Sequence, residues 1–97
     1  MMKKEDILRI LKDELNKLYE NFGVKKIGLF GSYVRGEQTK DSDIDILVDF
    51  EKYISFFKFI ELEDYLSEKL NTKVDLVSMD ALKPLIKSDI LDEAIYA

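Results

Sequence analysis

Two aspartates, Asp43 and Asp45, stand one residue apart in the segment GSYVRGEQTKDSDIDILV, which covers residues 31–48. Because side chains alternate between the two faces of a strand, both lie on one face of the strand that DIDILVDF predicts. Carboxylates at that spacing are roughly 6.5–7 Å apart and can converge on one hard cation such as Mg²⁺, which prefers oxygen ligands. The opposite face is apolar and is predicted to be core; it consists of Ile44, Ile46, Val48 and Phe50.

A third aspartate, Asp75, interrupts the apolar segment KVDLV. If this strand neighbours the one that carries Asp43 and Asp45, three carboxylates converge and repel one another unless a cation neutralises them. Aspartate is depleted inside strands, which argues against a purely structural role for Asp45 and Asp75. Asp43 taken alone, and Asp49 near the far end of its strand, also fit an ordinary turn or edge position.

Gly31 and Ser32 directly follow the first predicted strand. A glycine lets the backbone approach a ligand closely, and the N–H groups and hydroxyl that follow can bind phosphate oxygens. Taken alone, Gly-Ser is also typical of an ordinary turn. The aspartate segment is not an EF-hand, because Ile46 stands where that loop requires glycine and Lys52 where it requires glutamate. The chain also lacks the P-loop motif.

The composition describes a small acidic chain. Its 97 residues carry a formal net charge of -5, with no cysteine and no histidine. These counts exclude disulfides, Cys-ligated zinc and histidine acid–base catalysis, and the charge disfavours a broad nucleic-acid surface, which needs a basic face. With no long apolar run and no signal peptide, residues 1–97 are predicted to form one cytoplasmic domain without membrane contact.

The elements that position these residues alternate between helices and strands. Apolar residues at intervals of three and four predict a first helix over residues 3–21, which Gly23 ends. The segments KKIGLF, DIDILVDF and KVDLV predict three strands, and residues 32–37 predict a turn or short helix between the first two. Ser55 is predicted to cap the helix between the last two, and Asp80 to cap a final helix near Pro84. The order αβαβαβα predicts an α/β fold with a small mixed sheet flanked by helices.

The combined pattern resembles the signature of the polymerase-beta-like nucleotidyltransferase superfamily. Gly31 and Ser32 are followed by ten residues and then by Asp-x-Asp, with a third acid on a later strand. Within that superfamily the chain is similar to the minimal nucleotidyltransferase (MNT) family. KVDLV stands where that family places its third acid, and LKPLIKSDILDEAIY resembles its C-terminal stretch. Val34 stands where smaller residues are common in the family, outside the signature itself.

The resemblance implies a metal-dependent reaction with ATP as substrate. Asp43 and Asp45 would hold two Mg²⁺ ions. Asp75 would hold one of these ions and orient or deprotonate the hydroxyl that attacks the α-phosphorus. Two carboxylate-held metals need no histidine base, which agrees with the composition.

The same resemblance assigns the nucleotide-binding residues. Gly31 and Ser32 would bind the β- and γ-phosphates of the triphosphate. Two roles are equally supported for Arg35. In one it adds positive charge near the triphosphate, and in the other it pairs at the surface with Asp41 or Glu37. The site is expected to be open, because larger superfamily members enclose theirs with an additional helical domain.

Stand-alone MNT proteins act as antitoxins paired with HEPN-domain ribonuclease toxins, so the resemblance implies transfer of AMP from ATP to a toxin tyrosine. Two alternatives stay open: a non-catalytic antitoxin that neutralises the toxin by binding alone, and a nucleotidyltransferase with a small-molecule acceptor. Assembly with a second chain, identical or different, also stays open. The helix SFFKFIELEDYLSEKL offers either a wide core face or a contact surface, through Phe56, Phe57, Phe59 and Ile60.

Overall fold

The fold is a four-stranded sheet with helices packed against it. A computed structural model describes residues 2–97. The helices are α1 (Lys4–Phe22), α2 (Ser32–Arg35), α3 (Phe56–Leu70) and α4 (Pro84–Glu93). The strands are β1 (Val24–Phe30), β2 (Ile44–Phe50), β3 (Val74–Ser78) and β4 (Ile95–Tyr96), and a short 3₁₀ turn covers Met79–Ala81.

The sheet is mixed, with the strand order β3-β2-β1-β4. β1 pairs antiparallel with both β2 and β4, whereas β2 and β3 run parallel. The predicted α/β class and the mixed sheet flanked by helices are confirmed. β4 lies outside the predicted elements, because its two residues are too few to show the alternation that marks a strand.

The core lies between one face of the sheet and the helices α1 and α3, which also contact each other. The predicted apolar face of β2 forms part of this core. Burying one such aliphatic side chain contributes roughly 1.5–3 kcal/mol. Leu47, on the opposite face of β2, is also fully buried. The residues of the core cluster with a relative exposure of zero are Ile7, Leu11, Leu18, Leu29, Ile44, Ile46, Val48, Leu62 and Leu66.

Two of the three predicted helix caps are present in the structure. Ser55 precedes α3, and its hydroxyl accepts a hydrogen bond from the Lys58 N–H at 3.2 Å; Gly23 follows α1 as its C-cap. The prediction that Asp80 caps the last helix is wrong, because Asp80 lies within the 3₁₀ turn. Pro84 instead occupies the first position of α4, where the missing N–H of proline has no partner to lose. Within residues 2–97, none of the helices combines the length and the apolar character needed to cross a membrane.

The end of the chain packs closely against β1 at Gly28. Gly28 pairs with Tyr96, and the Ala97 N–H donates to the Ile27 carbonyl at 3.0 Å. A Cβ on Gly28 would lie 2.8 Å from Tyr96 Cδ1 and 3.1 Å from the Ile95 carbonyl oxygen. The missing side chain therefore lets β4 pair with β1, and this pairing holds the C-terminal end of α4 beside the sheet.

We expect Gly28→Ala to lower the free energy of unfolding by about 1–3 kcal/mol, because the added methyl group overpacks the β1–β4 contact. Urea unfolding measures this loss, and amide hydrogen exchange should show reduced protection at Ala97. Adding Tyr96→Ala should recover part of the loss, since the tyrosine ring is the nearest obstacle. A double variant with no recovery would contradict the assigned ring contact.

Candidate active site

Aspartates of two neighbouring strands lie side by side. β2 and β3 run parallel with Asp45 opposite Asp75. In-register residues of neighbouring parallel strands point to the same face, with backbones about 4.8 Å apart. The condition under which Asp75 joins the other acids is therefore met, and the carboxylates of Asp45 and Asp75 lie on the face opposite the helical core.

Asp43 lies one residue before β2, where the strand enters the sheet. Lys73 occupies the matching position before β3, and its Nζ lies 3.9 Å from Asp43 Oδ2. The Ile44 N–H donates to the Lys73 carbonyl at 2.9 Å, which keeps the two strand entrances together. An exposed ion pair of this kind adds little stability. Lys73 nevertheless places a cation beside the carboxylates, and it was not among the predicted site residues.

The backbone turns at Gly31, directly after β1. Its φ of 81° and ψ of -152° belong to a region that is essentially restricted to glycine. A Cβ at this position would overlap Asp45 Oδ2 and lie 2.9 Å from Asp45 Cγ. The Asp45 carboxylate thus lies directly against the Gly31 backbone. The turn predicted to bind phosphate and a carboxylate predicted to bind metal therefore meet at one point.

Ser32 begins α2 immediately after this turn, as a partly buried residue. Its carbonyl accepts the Glu37 N–H at 2.9 Å, which closes the short helix. Further along the loop, Ser42 Oγ accepts the Thr39 N–H at 2.9 Å, and the Ser42 N–H donates to the Thr39 carbonyl at 3.0 Å. These bonds brace the loop that joins the glycine turn to the first aspartate.

Arg35 forms two ion pairs at the end of α2. Its Nε donates to Glu37 Oε1 at 2.8 Å, and its Nη1 donates to Glu93 Oε1 at 2.8 Å. The predicted surface pairing with Glu37 is confirmed. The hydrogen bonds to Glu37 and then to Glu93 raise the pKa of Arg35 above its ordinary value, so the guanidinium stays charged. Its predicted position near a triphosphate stays a prediction.

Glu93, the last residue of α4, belongs to the site although no sequence pattern singled it out. Its Oε2 accepts the Gly31 N–H at 2.8 Å, while Oε1 accepts from Arg35. These partners are 62 and 58 residues away in the chain, so local periodicity holds no trace of the contact. The one available signal was its position within LKPLIKSDILDEAIY, whose family resemblance assigned no role to a single residue.

Negative charge is crowded around Asp45. Partial burial, followed by repulsion from Asp75 and Asp43, raises the pKa of this carboxyl. Arg35 opposes the rise and Glu93 adds to it. A cation bound at this place would lower the pKa again, because it favours the charged form.

The donor set fits a magnesium ion that is shared with a phosphate. Among the described residues 2–97, no group of three metal-ligating side chains lies close enough to hold an ion on its own. Mg²⁺ is usually bound by one or two carboxylates together with waters and substrate phosphates. Asp45 and Asp75 supply such a pair of oxygen ligands, with Asp43 at the strand entrance. The arrangement is therefore suited to a metal that binds together with a nucleotide.

The exposed aromatic residues lie at the other end of the sheet. Phe56 and Phe57 at the start of α3 are 71% and 84% exposed, whereas Phe59 packs against Phe50 with ring centroids 6.3 Å apart. Phe50 ends β2, roughly 17 Å along the strand from Asp45. Tyr65 of the same helix packs against Phe22, so α3 contributes two rings to packing and exposes two others, far from the carboxylates. A partner bound only at these rings would leave the aspartates uncovered.

Fold and site together define a class of protein. The family model described as nucleotidyltransferase domain matches residues 8–97, which include all three aspartates and the glycine turn. The chain therefore belongs to the nucleotidyltransferase domain family. Similar proteins and structures also confirm the predicted fold and the predicted membership of the minimal nucleotidyltransferase family.

Three of these relatives cover nearly the whole chain. Protein adenylyltransferase MntA of Thermococcus cleftensis is 52% identical over 96 residues, which span 99% of this chain and 97% of the relative. A solved structure assigned as a minimal nucleotidyltransferase has a TM-score of 0.80 at 35% identity and covers 97% of this chain and 95% of that one. A toxin–antitoxin crystal structure with AMP-PNP has a TM-score of 0.72 at 27% identity, covering 98% of this chain and 72% of that one. The chain is thus an enzyme of the minimal nucleotidyltransferase type.

We expect Gly31→Ala to destabilise the protein by roughly 2–3 kcal/mol, because the methyl group adds backbone strain and overlaps the Asp45 carboxylate. Urea unfolding measures the loss. In the double variant Gly31→Ala/Asp45→Ala, the loss of stability caused by overlap with the carboxylate should be recovered. The loss caused by backbone strain at residue 31 should remain. If the single variant unfolds with the wild-type free energy, the assigned contact between Gly31 and Asp45 is wrong.

We expect Asp45→Asn to stabilise the protein at neutral pH. The folded state raises the pKa of Asp45, so wild-type stability from this group is greatest below the unfolded pKa and is lost as pH rises through the folded pKa. The advantage of the variant should therefore be present at neutral pH and shrink in acid. Unfolding free energies measured against pH test this, with Asp49→Asn as the matched control on the same strand. An advantage that grows in acid would contradict the assigned charge crowding.

Proposed function

We propose that this protein is an antitoxin enzyme that transfers AMP from ATP to a tyrosine hydroxyl of a HEPN ribonuclease toxin. The proposal is carried by the in-register pair of Asp45 and Asp75 beside the Gly31 turn. Whole-chain similarity to a protein adenylyltransferase supports AMP as the transferred group and a protein as the acceptor.

The triphosphate is assigned to the turn that follows β1. The Gly31 N–H, the Ser32 hydroxyl and the Arg35 guanidinium are donors of the kind that bind phosphate oxygens. They lie in and directly before the single turn of α2, and Gly31 lies against Asp45, a candidate metal-binding carboxylate. Similarity to a toxin–antitoxin structure with AMP-PNP supports a nucleoside triphosphate as the ligand.

Asp43, Asp45 and Asp75 are assigned to Mg²⁺, which they would hold together with the phosphates of the nucleotide. The raised pKa of Asp45 supports this assignment, because a bound cation relieves the repulsion that raises it. When bound, the metal supplies positive charge that offsets the negative charge developing on the phosphate oxygens.

The proposed reaction is one in-line displacement. The acceptor hydroxyl oxygen forms a bond to the α-phosphorus, the bond from that phosphorus to the bridging oxygen breaks, and pyrophosphate leaves. Asp75 orients the hydroxyl and takes its proton. Asp75 is exposed, so a hydroxyl on another molecule can reach it. Holding hydroxyl and phosphorus together supplies much of the rate.

A protein acceptor agrees with the charge and openness of the site. The net charge of -5 disfavours a nucleic-acid acceptor, whose phosphates require a basic surface. The MNT resemblance implies a HEPN toxin as the partner and a tyrosine as its modified residue. Such a partner must contact the entrances of β2 and β3, because its hydroxyl has to reach the carboxylates there. The exposed rings of Phe56 and Phe57 lie at the other end of the sheet.

We expect a HEPN-family protein encoded beside this chain to gain the mass of one or more adenylyl groups on incubation with the protein, ATP and Mg²⁺. Intact-mass spectrometry measures the gain, and peptide mapping locates it. Asp43→Asn should reduce the transfer at least about a hundredfold, as expected when a charged ligand of the reacting centre is lost. Asp49→Asn, which makes the same change on the same strand outside the site, should keep the activity.

Other outcomes separate the alternatives. If the toxin is inhibited with no change in mass, and Asp43→Asn inhibits it equally well, the protein is an antitoxin that acts by binding alone. If adenylyl transfer requires a small molecule and leaves the toxin unmodified, the acceptor is wrong while the nucleotidyltransferase chemistry stands. Transfer that persists after magnesium is chelated would contradict the metal assignment.

A further inference from the structure

The carboxylate of Glu93 binds two of the three groups assigned to the triphosphate. Its Oε2 accepts the Gly31 N–H at 2.8 Å, and its Oε1 accepts from Arg35 Nη1 at 2.8 Å. A carboxylate and a phosphate use the same donors, namely backbone N–H groups and guanidinium nitrogens. The Gly31 N–H and the Arg35 guanidinium are therefore placed so that two oxygens of one anionic group can bind both of them.

One of these donors cannot serve two ligands. The Gly31 N–H has a single hydrogen, and a full hydrogen bond to Glu93 leaves none for a phosphate oxygen. Arg35 has five N–H donors and retains others while it binds Glu37 and Glu93. Competition is therefore decided at Gly31, where a phosphate can bind only after Glu93 has moved.

The position of Glu93 is set by the strand that follows it. Ala94 links Glu93 to β4, and β4 pairs with Gly28 and Leu29 of β1, the strand that leads into the Gly31 turn. The Glu93 side chain is 24% exposed, so it borders solvent. We expect its displacement to be a rotation of this side chain, with the pairing of β4 and β1 retained.

Electrostatics favour an exchange of Glu93 for a metal-bound phosphate. Glu93 lies close enough to Asp45 to add to the negative charge around it, whereas a phosphate would arrive with a cation. Arg35 and the Gly31 N–H hold Glu93 in its charged form and lower its pKa. The donors of the turn are therefore paired within the protein, and the nucleotide must supply better contacts than those it replaces.

We infer that Glu93 is a built-in competitor of the triphosphate, which closes the phosphate-binding turn in the free enzyme and is displaced when the nucleotide binds. The inference rests on the proposed function, because it takes the Gly31 turn as the phosphate site. It assigns Glu93 a regulatory role: the side chain weakens nucleotide binding and keeps the donors paired when no nucleotide is present.

Calorimetric titration of the whole chain tests the inference, with two probes in the presence of Mg²⁺: AMP-PNP and inorganic tripolyphosphate. Glu93→Gln keeps the size of the side chain and removes its charge, so it should bind both probes roughly tenfold more tightly than wild type, the equivalent of one lost charged hydrogen bond. Asp92→Asn is the matched control, because it removes one negative charge from the neighbouring exposed position of α4. It should change affinity less than about twofold, as expected for an exposed charge.

A second variant guards against misfolding of the first. Glu93→Asp keeps the charge but is too short to contact both donors, so it should also bind the probes more tightly than wild type.

The Gly31 amide provides a direct readout by NMR: Glu93→Gln and saturating AMP-PNP should each shift its resonance, and the two changes should not add.

The outcomes distinguish this inference from the proposed function. Equal or weaker binding by Glu93→Gln and Glu93→Asp would overturn the inference alone, and would mean that Glu93 holds Arg35 in a productive position. If neither probe binds to wild type or to any variant, the assignment of Gly31 and Arg35 to a triphosphate fails, and the proposed function fails with it.

Discussion

The register of β2 between its two neighbours is the constraint on which the rest of the structure depends. β2 is paired along both edges, antiparallel with β1 and parallel with β3. This single register buries Ile44 and Ile46 beneath the helices and turns Asp45 to the opposite face, beside Asp75. A slip by one residue would bury the carboxylate and expose the isoleucines. Stability and site geometry are therefore set by the same pairing.

Around that register, the chain supplies its own counter-charges. Lys73 places an ammonium group beside Asp43, and Glu93 gives Gly31 and Arg35 anionic oxygens to bind. The Glu93 contact satisfies a partly buried N–H group of Gly31 that would be costly to leave unpaired. The exposed pair of Lys73 and Asp43 adds little stability by comparison.

Local patterns predicted those features that depend on residues a few positions apart. The alternation in DIDILVDF predicted which face of β2 is core, and Ser55 predicted the start of α3, because both signals act within one strand or one helical turn. The start of the last helix was ambiguous, because Asp80 and Pro84 are both residues that favour a helix start. In the structure α4 begins at Pro84, whose fixed φ suits the first helical position, and Asp80 lies in the 3₁₀ turn before it. The aromatic residues of α3 show the same limit, since periodicity does not reveal which rings the sheet covers.

By itself, the sequence determined the elements other than β4 and the 3₁₀ turn, the mixed α/β fold, and the set of aspartates and glycine that the family signature joins. Only the tertiary structure decided that Asp45 touches Gly31 and that Glu93 completes the turn from a position 62 residues away. It also decided that β4 pairs with β1 and that the exposed phenylalanines lie far from the carboxylates. The physical reason is that periodicity and capping are local, whereas strand order and close approach result from packing the whole chain into one core.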